Sequence, residues 1–456
     1  MRDLDGFLAH LRSIFAVTVQ DAREIIAAFH REVEAGLKGE ESSLKMIPSF
    51  VGPPRGTEKG DCLVLDLGGT NIRVLAVALD GKGNASVSAV SRFVIPENLM
   101  GGPGDALFNH LADCLRSFFE QHGSGRQRPG DLAFTFSFPV EQHSLVAGKL
   151  INWTKKFTAA GVVGRDVVAL LAAALARRRL GFIKVASLAN DTVGTLVAGA
   201  YADPSCDLGV ILGTGTNACY PEQAAKIRKC PEPGASGVMI VNIEWGGFSQ
   251  LPRNVYDQEL DGASPNAGRQ WLEKMVAGMY LGEIARRIIV DMMTRGLLFR
   301  GTDPAVFSSP YMLQTEHLSQ LARGADFFAD FGLPEIAETD RQTLREICLL
   351  VASRSARIAG AAIAAVVTWQ DATIARNHTV AIDGSLFEKY PEYQYYIMAM
   401  LEELFGIRAK RIKLALVKDG SGIGSAIIGA MAVAARTGNG SDGGCREISY
   451  PDRQSD

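Results

Sequence analysis

Two glycine-rich turns in the sequence combine residue types that can bind phosphate. The first turn lies between two apolar runs and reads Asp66-Leu-Gly-Gly-Thr-Asn71. This pattern predicts a strand, a tight turn and a returning strand. Glycines let the backbone approach a ligand closely, and successive amide N–H groups can point at phosphate oxygens. Asp66 could hold a cation beside those phosphates, directly or through water.

The second turn repeats this design about 145 residues further along the chain, as Gly213-Thr-Gly-Thr-Asn217 behind another apolar run. Either turn alone could be a plain hairpin turn that binds nothing. Two copies indicate an internally duplicated nucleotide-binding fold. No Gly-x-x-x-x-Gly-Lys-[Ser/Thr] motif lies between a strand and a helix, which argues against a P-loop mechanism.

Polar residues also follow several apolar runs, at positions where open α/β sheets build their sites. Ser137, the pair Asn190-Asp191 and Glu244 each come at the end of a predicted strand. Each has a simpler alternative. Asp191 could merely cap the next helix, Glu273 could only complement a helix dipole, and Lys155 could be a solvated loop lysine.

Composition limits the class of protein. The 456 residues exceed one compact core and suit two lobes. A net charge of −3 argues against a general nucleic-acid binder. The seven scattered cysteines form no Cys-x-x-Cys pair, so neither a zinc site nor a disulfide framework is indicated. We also expect a cytoplasmic protein without a membrane partner, because the N-terminus lacks a signal-peptide pattern and no apolar stretch reaches roughly 20 residues.

Hydrophobic periodicity predicts the elements that position these groups. Helical spacing predicts two N-terminal helices from Leu4 to Val33, and further helices at residues 105–119, 164–179, 270–290 and 344–367. Branched apolar runs predict strands on both sides of each glycine-rich turn and at residues 86–94, 132–138, 183–188, 238–243, 379–382 and 414–417.

Taken together, the motifs resemble those of the eukaryotic-type hexokinases, over about residues 61–435. Besides the two glycine-rich turns, they are Ser137-Phe-Pro139, Asn152-Trp-Thr-Lys155, Asn190-Asp-Thr-Val-Gly194, Asn242-Ile-Glu-Trp-Gly-Gly247 and Asp419-Gly-Ser-Gly422. The resemblance implies an α/β protein with the two-lobed, actin-like ATPase (ribonuclease H-like) fold. Its cleft would lie between a small domain, residues 61–203 plus about 423–437, and a large domain, residues 1–60 plus 204–422. Residues 438–456 would form a flexible tail.

The resemblance also implies a reaction, transfer of the γ-phosphoryl of MgATP to the 6-hydroxyl of glucose and related hexoses. Asp191 would be the catalytic base, and Lys155 would meet the transferring phosphoryl. The implied hexose-binding set is Ser137, Thr154, Lys155, Asn190, Asp191, Asn217, Glu244 and Glu273. The implied nucleotide set is Asp66, Gly68, Gly69, Thr70, Asn71, Arg73, Gly213, Thr214, Gly215, Thr216, Gly420, Ser421 and Gly422, with Asp66 approaching Mg²⁺ through water. The expected partners are hexose and MgATP, and the expected state is a monomer or a homodimer.

Two positions depart from the family pattern. Lys156 stands where a glycine usually follows the Thr-Lys pair, which bears on loop flexibility and sugar preference. Asn266-Ala-Gly268 replaces the usual Asn-Pro-Gly, and we expect this change in a turn to have a small effect. Two other functions stay open at this point, namely a catalytically silent hexose sensor and an actin-like ATPase that needs no sugar.

Overall fold

The computed structural model describes residues 2–69, 71–122, 130–154, 157–230, 237–325, 328–333 and 335–436. The predictions made for Thr70, Lys155, Lys156 and the tail at 438–456 therefore lie outside the described residues.

The strands form two large mixed sheets and one small hairpin within the described part of the chain. In chain order they are β1 (Ile47–Pro48), β2 (Lys59–Leu67), β3 (Asn71–Asp80), β4 (Ala85–Val94), β5 (Asp131–Phe136), β6 (Val140–Ser144), β7 (Ala147–Leu150), β8 (Lys184–Ala189), β9 (Cys206–Leu212), β10 (Thr216–Gln223), β11 (Val238–Asn242), β12 (His378–Asp383) and β13 (Ile412–Leu416).

Helices connect and cover these strands. They are α1 (Arg2–Phe15), α2 (Val19–Lys38), α3 (Glu97–Met100), α4 (Gly104–His122), α5 (Val167–Arg177), α6 (Asp191–Ala202), α7 (Val255–Gly262), α8 (Trp271–Val276), α9 (Gly278–Thr294), α10 (Thr315–Ala322), α11 (Glu338–Gln370), α12 (Ser385–Lys389), α13 (Tyr393–Phe405) and α14 (Gly420–Arg436). Short 3₁₀ turns include Trp245–Gly247, directly after Glu244.

The two large sheets share one topology, as the duplicated turns predict. The first has the order β4-β3-β2-β5-β8, and the second has the order β11-β10-β9-β12-β13 with β1 added at its edge. In each, three antiparallel strands are followed by two strands that run parallel to the first. The first glycine-rich turn connects β2 to β3 and the second connects β9 to β10, so the two turns occupy equivalent places in the two halves.

Two helices cross from one half to the other. Helix α6 leaves the end of β8 in the first sheet but packs on β9 and β12 of the second. Helix α14 leaves the second sheet after β13 and packs on β2, β5 and β8 of the first. The two helices pack against each other between the sheets. Their first turns carry Asp191 and Ser421, so the crossing brings both predicted groups to the junction of the halves.

Glycines permit the close contact between α6 and α14. A Cβ atom on Gly424 would lie only 1.7 Å from the carbonyl oxygen of Gly194, and a Cβ on Gly194 would lie 2.6 Å from the Ser421 carbonyl oxygen. Backbone atoms cannot swing aside as the end of a flexible side chain can. These two positions therefore require glycine for packing.

Most of the predicted elements are confirmed, including the N-terminal helices α1 and α2. The single long helix predicted at 270–290 is wrong. Ala277, with φ −75° and ψ 146°, separates the six-residue α8 from α9. The β6–β7 hairpin was not predicted, because its two short strands show no clear alternation of apolar and polar residues.

Among the described residues, one helix is long and apolar enough to cross a membrane by length and composition. This helix is α11, which has 33 residues, and 78% of its most apolar 18-residue window is buried inside the protein. Its apolar residues pack against α2, α9 and α13 in the core of the second half. The core helix of a globular protein has these properties too, so α11 is weak evidence for a membrane span.

Candidate active site

A pocket opens between the two halves, at the ends of the strands. It encloses about 440 Å³ of empty space, part of it open to solvent. It gathers all the predicted hexose-binding residues that the structure describes, which are Ser137, Thr154, Asn190, Asp191, Asn217, Glu244 and Glu273. Lys155 follows Thr154 but lies outside the described residues. Phe138, Pro139, Ile211, Gly215, Thr216, Gly246 and Gln270 complete the lining.

Asn190 and Asp191 reach the pocket from the start of α6. Asn190 is the N-cap, and its side-chain oxygen accepts a 2.9 Å hydrogen bond from the backbone N–H of Thr192. Asp191 Oδ1 accepts from the same N–H at 2.8 Å and from the Thr192 hydroxyl at 3.2 Å. The N-cap of α6 is therefore Asn190, and not Asp191. The bonds to Thr192 hold the half-buried Asp191 carboxylate at the pocket wall.

Glu244 is held by two asparagines. Its Oε1 atom accepts a 3.0 Å hydrogen bond from the Asn217 side-chain amide and a 2.8 Å bond from that of Asn242. Asn217 also donates to the side-chain oxygen of Asn242 at 2.8 Å. Glu244 has left-handed backbone geometry, with φ 55° and ψ 48°. A non-glycine residue seldom adopts it, and such strain is concentrated at functional sites.

Glu273 stands on α8, and the residue that precedes this helix, Gln270, is also left-handed, with φ 56°. Both side chains line the pocket. They sit tightly against the turn that follows Glu244, because a Cβ on Gly246 would lie 2.7 Å from Gln270 Oε1 and 3.2 Å from Glu273 Cβ. The two strained residues, Glu244 and Gln270, therefore both line the pocket, on either side of Gly246.

Part of the predicted nucleotide set forms a charged cluster beside the first turn. The guanidinium of Arg73 donates to the buried carboxylate of Asp66, to Asp419 and to the Ser421 hydroxyl. Ser421 in turn donates to Asp66 at 3.2 Å. The nearby Asp66 charge, and the hydrogen bond between the two, raise the pKa of Arg73 further above its ordinary value. Arg73 therefore stays charged and ties β2 to the start of α14.

The first turn is closed by a 3.0 Å hydrogen bond from the Gly68 N–H to the Asn71 carbonyl, with Gly69 between them. The second turn is closed by a 3.1 Å bond from the Gly213 N–H to the Gly215 carbonyl. It is also anchored from outside, since the Gly278 and Met279 N–H groups of α9 donate to the carbonyls of Gly213 and Thr214. Two members of the second turn, Gly215 and Thr216, border the pocket itself.

Gly420 and Gly422 lie in the first turn of α14, and both are buried. A Cβ on Gly420 would come within 3.3 Å of Thr195, and one on Gly422 within 3.2 Å of the Leu75 side chain. The structure thus gives these glycines a packing function against α6 and β3. Their predicted contact with adenosine stays a prediction.

Asp383 is a charged residue at this site that the sequence analysis did not single out. It ends β12 and pairs in register with Ile211, a pocket residue at the end of β9. Burial raises its pKa to about 6, and the charge of Asp191 acts in the same direction, although Arg73 opposes it. A carboxylate with such a raised pKa, close to a predicted base and a predicted phosphate turn, is typical of functional sites.

The carboxylates near the first turn suit a Mg²⁺ ion that is bound together with a nucleotide, and they do not suit a site made of protein ligands alone. Within the described residues, no three His, Cys, Asp or Glu side chains converge as metal ligands. Mg²⁺ commonly takes one or two carboxylates and completes its shell with phosphates and water. Asp66 is buried next to the first turn and could serve as such a carboxylate.

Comparison with known proteins identifies the family. Two family profiles, both described as hexokinase, match residues 8–201 and 207–431. Hexokinase-7 of Oryza sativa subsp. japonica is 40% identical over 445 residues, which cover 93% of this chain and 96% of that protein. The chain belongs to the hexokinase family.

Other family members extend this likeness. Human Hexokinase-3 is 39% identical over 430 residues, which make up 89% of this chain and 45% of that protein. The chain spans about half the length of such mammalian relatives. A solved structure of the Schistosoma mansoni hexokinase complexed with glucose superposes with a TM-score of 0.86 at 36% identity, covering 94% of this chain and 99% of that one. The fold is thus the two-lobed, actin-like ATPase architecture that the motifs predict.

Four residues at the site were not predicted from the sequence. They differ in whether their sequence positions carried a signal. Asn242 lies inside a motif that was recognised, at the end of a strand, so its position could have signalled it. Asp383 ends a predicted strand in the same way. Asp419 also opens a recognised motif, so its position could have signalled it. Gln270 owes its place to left-handed backbone geometry, which its residue type does not reveal.

Proposed function

We propose that this protein is an ATP-dependent hexokinase that transfers the γ-phosphoryl group of MgATP to the 6-hydroxyl of glucose and related hexoses. The observation that carries the proposal is the pocket in which Asp191 lies among six other predicted hexose-binding side chains. The Arg73 cluster and the two glycine-rich turns lie at the same junction of the two halves.

The lining of the pocket suits a sugar. Carboxylate oxygens of Glu244 and Glu273 accept hydrogen bonds from sugar hydroxyls, and the amides of Asn190 and Asn217 can both donate and accept. These four side chains are half-buried. A site that pairs such polar groups with sugar hydroxyls rejects a ligand that lacks a matching hydroxyl, because those groups would lose their partners. The solved relative from Schistosoma mansoni was obtained with glucose, which supports hexose as the substrate class.

Asp191 acts as the general base. It accepts the proton of the 6-hydroxyl while that oxygen attacks the γ-phosphorus, and positioned acid–base groups contribute typically about 10²- to 10⁴-fold. The N–H groups of the two glycine-rich turns and the Lys155 side chain bind the phosphate oxygens. Asp66 would help to hold Mg²⁺, which when bound would neutralise phosphate charge. The protein otherwise contributes positioning and excludes water, which competes with the sugar.

The decisive experiment follows ADP and glucose 6-phosphate together, with MgATP present, in the presence and absence of glucose. We expect ADP release that depends on glucose and matches glucose 6-phosphate one to one. ADP release without sugar would favour an actin-like ATPase. Glucose binding without turnover would favour a hexose sensor. Parallel assays with mannose and fructose would define the breadth of the acceptor.

A further inference from the structure

Lys274 is a buried lysine on the same short helix as Glu273. Its side chain is 2% exposed, and its Nζ lies 2.6 Å from Asp261 Oδ1 and 3.0 Å from the Asn266 carbonyl oxygen. Burying an ammonium group is costly unless it is paired and hydrogen-bonded. Lys274 does not line the sugar pocket, so its charge serves the loop between α7 and α8.

Asp261 lies in the last turn of α7 and binds residues of that loop. Its two carboxylate oxygens accept from the N–H of Gly268 at 3.0 and 2.9 Å. Its carbonyl oxygen accepts from the N–H and the hydroxyl of Ser264, at 3.0 and 2.7 Å. Gly268 has φ +78°, which a glycine adopts without strain. The pair Lys274–Asp261 thus connects the end of α7, the loop and α8 in one cluster. The turn at residues 266–268 keeps these contacts with an alanine at position 267.

Helix α8 depends on such outside contacts. It has six residues, far fewer than an isolated helix needs to be stable. Its Leu272 N–H donates at 3.1 Å to the carbonyl of Phe248, just after the turn that follows Glu244. On that side Gln270 and Glu273 already press against Gly246. On the other side the helix is held by Lys274 and its partners.

We propose that Lys274, through its ion pair with Asp261, is the positioning residue that fixes Glu273 and Gln270 at the sugar pocket. This inference rests on the proposed function and adds to it a determinant of hexose affinity. Lys274 touches neither the substrate nor the reacting atoms. It acts by setting the rotation of α8, and therefore the place at which the Glu273 carboxylate meets a sugar hydroxyl.

The test variant is Lys274→Met, which keeps the length of the side chain and removes its charge. A displacement of about 1 Å in a positioning group can cost about 10²-fold in rate. We expect the KM for glucose and its dissociation constant to rise by about 10- to 100-fold. The KM for ATP should change by less than about threefold. Lys274→Arg, which keeps the charge, should recover part of the lost glucose affinity.

A matched control separates positioning from simple destabilisation. Arg286 of α9 is also buried and pairs with Glu283 through bonds of 2.7 and 2.6 Å, and neither residue lines the pocket. Arg286→Met should lower the melting temperature at least as much as Lys274→Met does, with glucose affinity unchanged. If both variants weaken glucose binding equally, or if neither does, the inference is wrong.

A double variant tests whether Lys274 acts through Glu273. Glucose affinity is measured by titration calorimetry for Glu273→Gln, alone and combined with Lys274→Met. If the inference holds, Lys274→Met costs several-fold less in the Glu273→Gln background than in the natural chain. An undiminished cost would overturn it. Because this readout is binding, it remains valid if the natural chain binds glucose without phosphorylating it, which would refute the proposed function alone.

Discussion

The side-chain amide of Asn242 lies 2.8 Å from Oε1 of Glu244, the oxygen that also accepts from Asn217. Asn242 is 4% exposed and sits at the end of β11, so the strand itself aims the donor at the carboxylate. Two donors on one carboxylate oxygen fix its orientation. The direction in which the Glu244 carboxylate faces the pocket is therefore set by residues behind the pocket wall.

Replacing Asn242 by Asp should weaken hexose binding. The change is isosteric, but it turns the donor that faces Glu244 into a second carboxylate. A hydrogen bond to a charged group contributes about 1.5–3 kcal/mol, which corresponds to about 10- to 150-fold in affinity. Calorimetric titration with glucose at pH 7 should show a loss of this size. Part of it should be recovered near pH 5, since one carboxylate of the new pair is then protonated more readily. Unchanged affinity at both pH values would show that Asn242 does not orient Glu244.

Asp191→Ala should separate binding from chemistry. We expect glucose to bind with an affinity within a few-fold of the natural one, because the rest of the pocket set is intact. Turnover should fall by about 10²- to 10⁴-fold, the usual contribution of a general base. Coupled measurement of glucose 6-phosphate gives the rate, and calorimetry gives the affinity. Asp191→Asn serves as the control for shape, since its amide retains an acceptor for Thr192. Near-normal turnover in either variant would remove Asp191 from the mechanism.

The sequence predicted the parts of the site that follow a local pattern. A glycine-rich turn between two apolar runs and a polar residue at a strand end are both visible within about ten residues. The duplicated topology of the two sheets follows from the same two turns. Ser137, Asn190 and Glu244 could therefore be singled out before the fold was known.

Contacts between distant segments were not predictable in this way. Arg73 meets Asp419 across 346 residues of chain, and no local pattern couples them. The break between α8 and α9 was missed because the helical spacing of apolar residues continues across Ala277. The backbone of Ala277 is nevertheless extended, which ends one helix before the next begins. The pairing of Lys274 with Asp261 likewise depends on the left-handed Gly268 and Gln270, which the fold imposes.

Asp383 should make the stability of the ligand-free protein depend on pH. Burial raises the pKa of this carboxyl from its ordinary 3.8 to about 6, so the folded state binds its proton more tightly than the unfolded chain does. The contribution of Asp383 to stability is therefore largest below about pH 4 and is lost as the pH rises through about 6. Asp383→Asn cannot ionise. Its melting temperature relative to the natural chain should increase steadily between pH 4 and pH 7. A constant difference across that interval would contradict the raised pKa.

Gly424→Ala should destabilise the protein strongly through the crossing of α6 and α14. The new methyl group would lie 1.7 Å from the Gly194 carbonyl oxygen, so the two helices would have to separate. Overpacked sites typically cost about 1–3 kcal/mol, and a clash with backbone belongs at or above the top of that range. Thermal or denaturant unfolding gives the change in the free energy of unfolding.

Gly6→Ala is the matched control for that experiment, because it makes the same substitution inside helix α1, where a Cβ meets nothing within 4 Å. Alanine is the better helix former by roughly 0.5–1 kcal/mol, so Gly6→Ala should leave stability unchanged or raise it slightly. The difference between the two variants then isolates the helix crossing from helix propensity. Since the first turns of α6 and α14 carry Asp191 and Ser421, any folded Gly424→Ala protein should also lose turnover. Equal stability of the two variants would mean that the helices separate without cost, and that the crossing does not fix the distance between these groups.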